Sequence, residues 1–122
     1  MNCPPALASA LESVAAGLAD EANHYFLKAN FYDHVGGDQA RWWLAALWLN
    51  ESTTRHFELL ADELRVDVLL DERRLDYWTR VSIPYSEIWD ILHQRAAEDP
   101  TPDGWSNSLY YDLASMRLPK MG

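Results

Sequence analysis

From Pro5 onward the apolar positions Leu7, Leu11, Val14, Leu18, Ala22, Tyr25, Ala29 and Tyr32 recur at intervals of three and four. That spacing returns side chains to one side of a helix, so it predicts a helix A over about residues 5–35. Pro4 and Pro5 suit its first turn, where a missing N–H costs nothing, and Gly36-Gly37 suits its end, because glycine adopts the left-handed conformation that terminates helices. Asp38 then reads as an N-cap, and Trp42, Ala46, Leu49, Thr53, Phe57, Leu60 and Leu64 form a second periodic face. A helix B is expected from there to about residue 65, antiparallel to A across the two glycines. Its start carries a second apolar side, made by Ala40, Leu44, Leu47 and Trp48, which implies either a central position or a contact with another chain.

Arg65-Val66-Asp67-Val68 is ambiguous, since β-branched residues alternate with charges while Leu64, Val68, Leu75 and Trp78 continue a helical stripe. A break is expected there, followed by a helix C over about 68–81. Ser82-Ile83-Pro84 ends it, because the residue before proline avoids helical geometry. A helix D over about 85–98 points Ile88, Ile91 and Leu92 inward. The run from Asp99 to Gly104 is the strongest loop signal in the chain, and a short helix E, Trp105 to Met116, packs Leu109 and Leu113 back on the rest. These elements predict an all-α fold: one domain over residues 1–122, a small bundle of four to five helices opening on an antiparallel helical hairpin.

The length of 122 residues supports one hydrophobic core without help from metals or disulfides. A single cysteine, Cys3, makes no internal bridge, so a cytoplasmic location is expected. Neither a signal peptide nor a membrane span is legible: the longest uninterrupted apolar run, Trp42 to Leu49, is too short to cross a bilayer. Ten Lys plus Arg stand against nineteen Asp plus Glu, a formal charge of −9. Such a chain repels a phosphate backbone, which disfavours direct nucleic-acid binding, and attracts a basic protein.

Glu21 and His24 form Glu-x-x-His, which on a helix aims a carboxylate and an imidazole at one metal. In that respect the chain resembles the ferritin-like di-iron carboxylate proteins, and the resemblance implies further ligands, for which Glu51 and Glu58 are the candidates and iron or zinc the metal. Helix B holds no second Glu-x-x-His. His34, His56 and His93 are scattered, no Gly-x-Ser-x-Gly elbow, Walker loop or dinucleotide fingerprint occurs, and Cys3 has no cationic neighbour in sequence to activate it. No catalytic residue is therefore assigned and no cofactor is expected outside the metal alternative.

Six tryptophans and six tyrosines are many for this length. Trp42 and Trp78 fall on the inward helical stripes, whereas Trp43, Trp48, Trp105, Tyr110 and Tyr111 have weaker claims to the interior and suit the anchors of a protein interface. Glu98-Asp99-Pro100-Thr101-Pro102-Asp103-Gly104, followed by Leu109-Tyr110-Tyr111, resembles the Pro-Asp-Gly loop and Tyr-Tyr segment of bacteriocin nuclease immunity proteins. The resemblance implies a bacterial, acidic helical bundle that inhibits a basic nuclease, with Tyr110, Tyr111 and Asp103 at the interface. The leading expectation is a non-enzymatic binding protein, an inhibitor, immunity protein or small chaperone for a basic protein. The alternatives are a ferritin-like metal or oxidoreductase protein, and an oligomeric accessory subunit of an enzyme, with a homodimer through helix B.

Overall fold

A computed structural model describes residues 2–35, 41–69, 78–95 and 107–116. It corrects the predicted fold class: among these residues there is one α-helix, α1 (Pro5–Gly17), and the remainder builds seven strands. They are β1 (Asn23–His34), β2 (Arg41–Leu49), β3 (Thr54–Leu59), β4 (Glu63–Val68), β5 (Thr79–Pro84), β6 (Ile88–Arg95) and β7 (Asn107–Tyr111). Helix A is thus right only to Gly17. The helix B segment is β2, β3 and the start of β4; the described end of helix C is β5; helix D is a 3-10 turn at 85–87 followed by β6; and the described part of helix E is β7 with a 3-10 turn at 113–115.

The helix survives where its pattern is backed by local chemistry. Leu7, Ala10, Leu11 and Val14 are buried along one side, and Pro5 occupies the first turn. It stops at Gly17, whose carbonyl accepts from the Asp20 N–H at 3.1 Å and from the Asn23 Nδ2 at 3.0 Å. Asp20 also accepts from the Ala22 N–H, closing a turn that feeds the chain into β1. A Cβ at residue 17 would collide with the hydroxyl of buried Tyr25, so glycine is needed there for the close approach of helix and strand.

The strands form one antiparallel sheet, curled into a half-barrel, in the order β3-β4-β5-β1-β6-β7, with β2 on the other edge of β1. Residues 79–95 run along a single edge of β1: β5 pairs at Asp33 and His34, and β6 pairs from Ala29 back to Asn23. Between them the chain loops away over Asn30, whose Nδ2 donates to buried Glu87 at 2.8 Å and to the Ser115 carbonyl at 2.7 Å. That amide ties the C-terminal turn to the centre of the sheet. Tyr85, fully buried, donates its hydroxyl to the Leu60 carbonyl at 2.7 Å, and burial raises its pKa to about 12.

Alternation explains which residues meet α1. Tyr25, Leu27 and Ala29 pair with Leu49, Leu47 and Ala45. Leu64 and Val66 pair with Ile83 and Val81, and all join the α1 stripe in one core. The charged residues between them, Glu63, Arg65, Asp67 and Arg80, are partly buried on the other side, where they pair with one another. At about 25 cal/mol per Å² of apolar surface removed from water, this two-layer burial is the main force holding the curl.

Candidate protein-docking face

The side of β1, β2 and β6 turned away from the helix carries His24, Phe26, Lys28, Ala46, Trp48, Asp90 and Leu92, paired across strands as Phe26 with Trp48 and Leu92, and Lys28 with Ala46 and Asp90. A shift in register between Lys28 and Ala29 leaves Trp89 as an extra residue on β6. The result is a continuous aromatic stripe across four strands. The Trp48 indole lies 6.0 Å from the His24 and Phe26 rings, the Lys28 ammonium sits 5.5 Å above both Phe26 and Trp89, and Trp89 meets Tyr111 edge-on at 6.2 Å. The two ends are the open parts, with Trp48 48% and Tyr111 59% exposed.

Beneath the middle of the stripe lies Asp90, 5% exposed, its Oδ2 3.6 Å from the Lys28 ammonium. Its Oδ1 is buried and has no hydrogen-bond partner among the described residues. Burial pushes the Asp90 carboxyl above the ordinary carboxylate range, and the Lys28 charge opposes that rise. Lys28 is therefore held over two rings by an anion below it, and its charge is largely spent inside the protein.

Four arginines are engaged within the chain as well. Arg41 binds Asp33 at 2.7 Å, Arg65 binds Glu63 at 3.2 Å, Arg80 binds Glu58 at 2.7 Å and Asp67 at 3.1 Å, and Arg55 stacks 3.6 Å above the Trp78 ring. Glu12, Glu21 and Glu51 are exposed and have no ion pair among the described residues. The excess negative charge is thus presented outward.

The predicted anchors separate. Trp48 and Tyr111 belong to the stripe. Tyr110, half-buried against the core, has its hydroxyl pKa raised by burial and then by Asp112. Trp43, 47% exposed, faces the opposite side of β2, where it meets Phe31 at 5.2 Å beside the Arg41 guanidinium. Asp103 and Trp105 lie outside the described residues. Trp42, expected inside, is 54% exposed, and Trp78 is half-buried beneath Arg55. Phe26, Lys28, Trp89 and Asp90 were missed; reading residues 23–34 with a period of two places His24, Phe26 and Lys28 on one face.

The helical metal site is not formed. Glu21 sits in the turn after α1 and His24 on β1, so the i, i+3 helical geometry is lost. His24 instead turns its edge to Trp48 and its Nδ1 to Asn50, 3.5 Å away; Glu51 is in the next turn and Glu58 is bound to Arg80. No group of three or more His, Cys, Asp and Glu among the described residues is placed to hold a metal. The nearest approach to a catalytic pair is His56, whose Nδ1 lies 2.6 Å from Asp67, but that carboxylate also serves Arg80 and no described side chain bonds the other ring nitrogen.

Among the described residues no helix is long and apolar enough to cross a membrane. Comparison with protein-family models, curated proteins and solved structures gives no match to this chain. The helical bundle that the immunity-protein resemblance implies is not the fold present, and of the positions carrying it 98–106 lie outside the described residues.

Proposed function

We propose that this chain is a non-enzymatic binding protein, an inhibitor or small chaperone, whose outer sheet face docks a basic protein. The observation that supports this most is the aromatic stripe running from Trp48 through Phe26 and Trp89 to Tyr111, half-exposed at both ends. Soluble monomers do not usually leave a connected row of large rings uncovered, and aromatic residues dominate the energetics of protein interfaces. A net charge of −9, with Lys28, Arg41, Arg65 and Arg80 paired to acids of the same chain, supplies the long-range attraction for a basic surface.

The expected behaviour is binding whose association slows as salt rises, and whose strength depends on Trp48 and Tyr111. Immobilised protein should retain a basic protein from its native host at low ionic strength, and the Trp48→Ala/Tyr111→Ala double variant should weaken that complex by about 30-fold or more, the effect of losing one hot-spot contact of about 2 kcal/mol. If the double variant, shown to be folded, retains the same proteins at the same salt as the parent, the outer face is not the docking site.

A further inference from the structure

We infer that the partner anchors on this face with an arginine, whose guanidinium takes the place of the Lys28 ammonium above Asp90, between Phe26 and Trp89. The inference deepens the docking proposal and rests on it, by naming the group that the middle of the stripe receives.

Asp90 is poorly matched by its own cation. Its Oδ2 has the Lys28 ammonium at 3.6 Å, while its Oδ1, buried, lacks a hydrogen-bond partner among the described residues. A buried carboxylate oxygen in that state has given up its hydration without a protein donor in exchange, which is costly. Burial holds the carboxyl above the ordinary carboxylate range even with Lys28 in place, so the ammonium offsets only part of the lost hydration.

A guanidinium suits this place better. Its paired N–H groups form a fork that matches both oxygens of one carboxylate, it is more weakly hydrated than an ammonium, and its plane stacks on aromatic rings. The Lys28 ammonium lies 5.5 Å from the centroids of both Phe26 and Trp89, within the range over which a ring attracts a cation. The position therefore has two aromatic walls and an anionic floor. The chain already holds an arginine in such surroundings: Arg41 donates from Nε and Nη2 to the two oxygens of Asp33, at 2.7 and 3.1 Å, with its guanidinium 3.8 Å above Phe31 and 5.7 Å from Trp43.

Lys28 is the member of the group that can leave. Its side chain is one-third exposed on a flexible stem, whereas strand pairing between β1 and β6 fixes the backbone that carries Phe26 and Asp90. When the stem swings outward, both Asp90 oxygens open to an incoming donor. A partner lysine would exchange one ammonium for another, but a partner arginine gains the second oxygen, so the site selects arginine.

The probes are n-propylguanidinium and n-propylammonium, equal in charge and chain length, titrated into the full chain while the Trp89 indole N–H is followed by NMR. The parent should bind the guanidinium about fivefold more tightly than the ammonium. Lys28→Ala removes the competing charge and opens the space above Asp90. It should bind the guanidinium about tenfold more tightly than the parent, because a site that is open in only a fraction of molecules binds more weakly by that fraction. Lys28→Ala/Asp90→Asn should lose this gain. If Lys28→Ala is too unstable to titrate, millimolar n-propylguanidinium should raise its melting temperature more than n-propylammonium at the same concentration. Equal response to the two probes overturns the inference, as does a Lys28→Ala affinity no higher than the parent's or perturbation confined to the indoles of Trp42 and Trp43 beside Arg41. The docking proposal fails separately, when Trp48→Ala/Tyr111→Ala leaves capture of a basic protein unchanged.

Discussion

Replacing Lys28 by methionine tests whether the centre of the aromatic stripe is held by charge or by contact. Methionine keeps an unbranched apolar stem over Phe26 and Trp89 but leaves the 5%-exposed Asp90 carboxylate with no cation near it. Removing one member of a fully buried ion pair costs about 3–5 kcal/mol. Here the ammonium is one-third exposed and 3.6 Å from the oxygen, so solvent screens the pair and a loss of about 2 kcal/mol near neutral pH is expected. The pH dependence carries the sign. Burial already raises the Asp90 pKa in the folded state, and loss of Lys28 raises it further, so folding then favours the protonated acid. The deficit is full above the variant's folded pKa, shrinks as pH falls through it, and vanishes below the parent's folded pKa, because the unfolded value is common to both chains. Urea unfolding of parent and Lys28→Met at a series of pH values measures it, and Lys28→Met/Asp90→Asn should recover most of the loss. If the deficit is as large in acid as at neutrality, and the double variant recovers nothing, the stripe is held by stem packing and the charge argument is wrong.

Two further substitutions probe the frame that presents the stripe. Gly17→Ala forces the Tyr25 ring away from the end of α1 and should cost about 1–3 kcal/mol, the range for overpacking a filled site, read as a lower urea midpoint with unchanged slope. Asn30→Leu removes the amide bonds to the buried Glu87 carboxylate and to the Ser115 carbonyl; it should cost about 2 kcal/mol and speed amide exchange at Ser115 and Met116, and unchanged exchange there would show that the turn is anchored elsewhere.

The sequence made α1 legible because three signals agreed over residues 5–17: an i, i+3, i+4 apolar stripe, prolines at the start and alanine-rich spacing between. Beyond Gly17 only the stripe continued, and it continued by coincidence. β1 is apolar on both sides, Tyr25 and Leu27 inward and Phe26 outward, and a segment with apolar residues at consecutive positions satisfies a spacing of three or four as readily as one of two. The decisive signals were composition and the pattern of β4. Tyr25, Phe26, Phe31 and Tyr32 favour strands, and Glu63-Leu64-Arg65-Val66-Asp67-Val68 alternates without exception. Because Leu64, Val68, Leu75 and Trp78 also fit a helical stripe, the segment reads as a break between two helices and its alternation goes unused.

That error also explains which part of the candidate site was hidden. On a helix, Trp42 shares the core-facing stripe and Phe26 lies off it, whereas on paired strands Phe26 stands directly opposite Trp48 on the outer face and Trp42, opposite Tyr32, is exposed. Trp48 and Tyr111 were legible as surplus aromatics because composition alone implicates them, but their connection was not, since it runs through Lys28 and Trp89 on strands that are distant in sequence. The second apolar side expected at residues 40–48 grouped Leu47 with Trp48, whereas β2 buries Leu47 and leaves Trp48 half-exposed on the opposite face; Ala40 lies outside the described residues. A strand with helix-facing Ala45 and Leu47 on one side and Ala46 and Trp48 on the other has no polar face to give to water, which is why a single helical stripe could be drawn through it as readily as two strand faces.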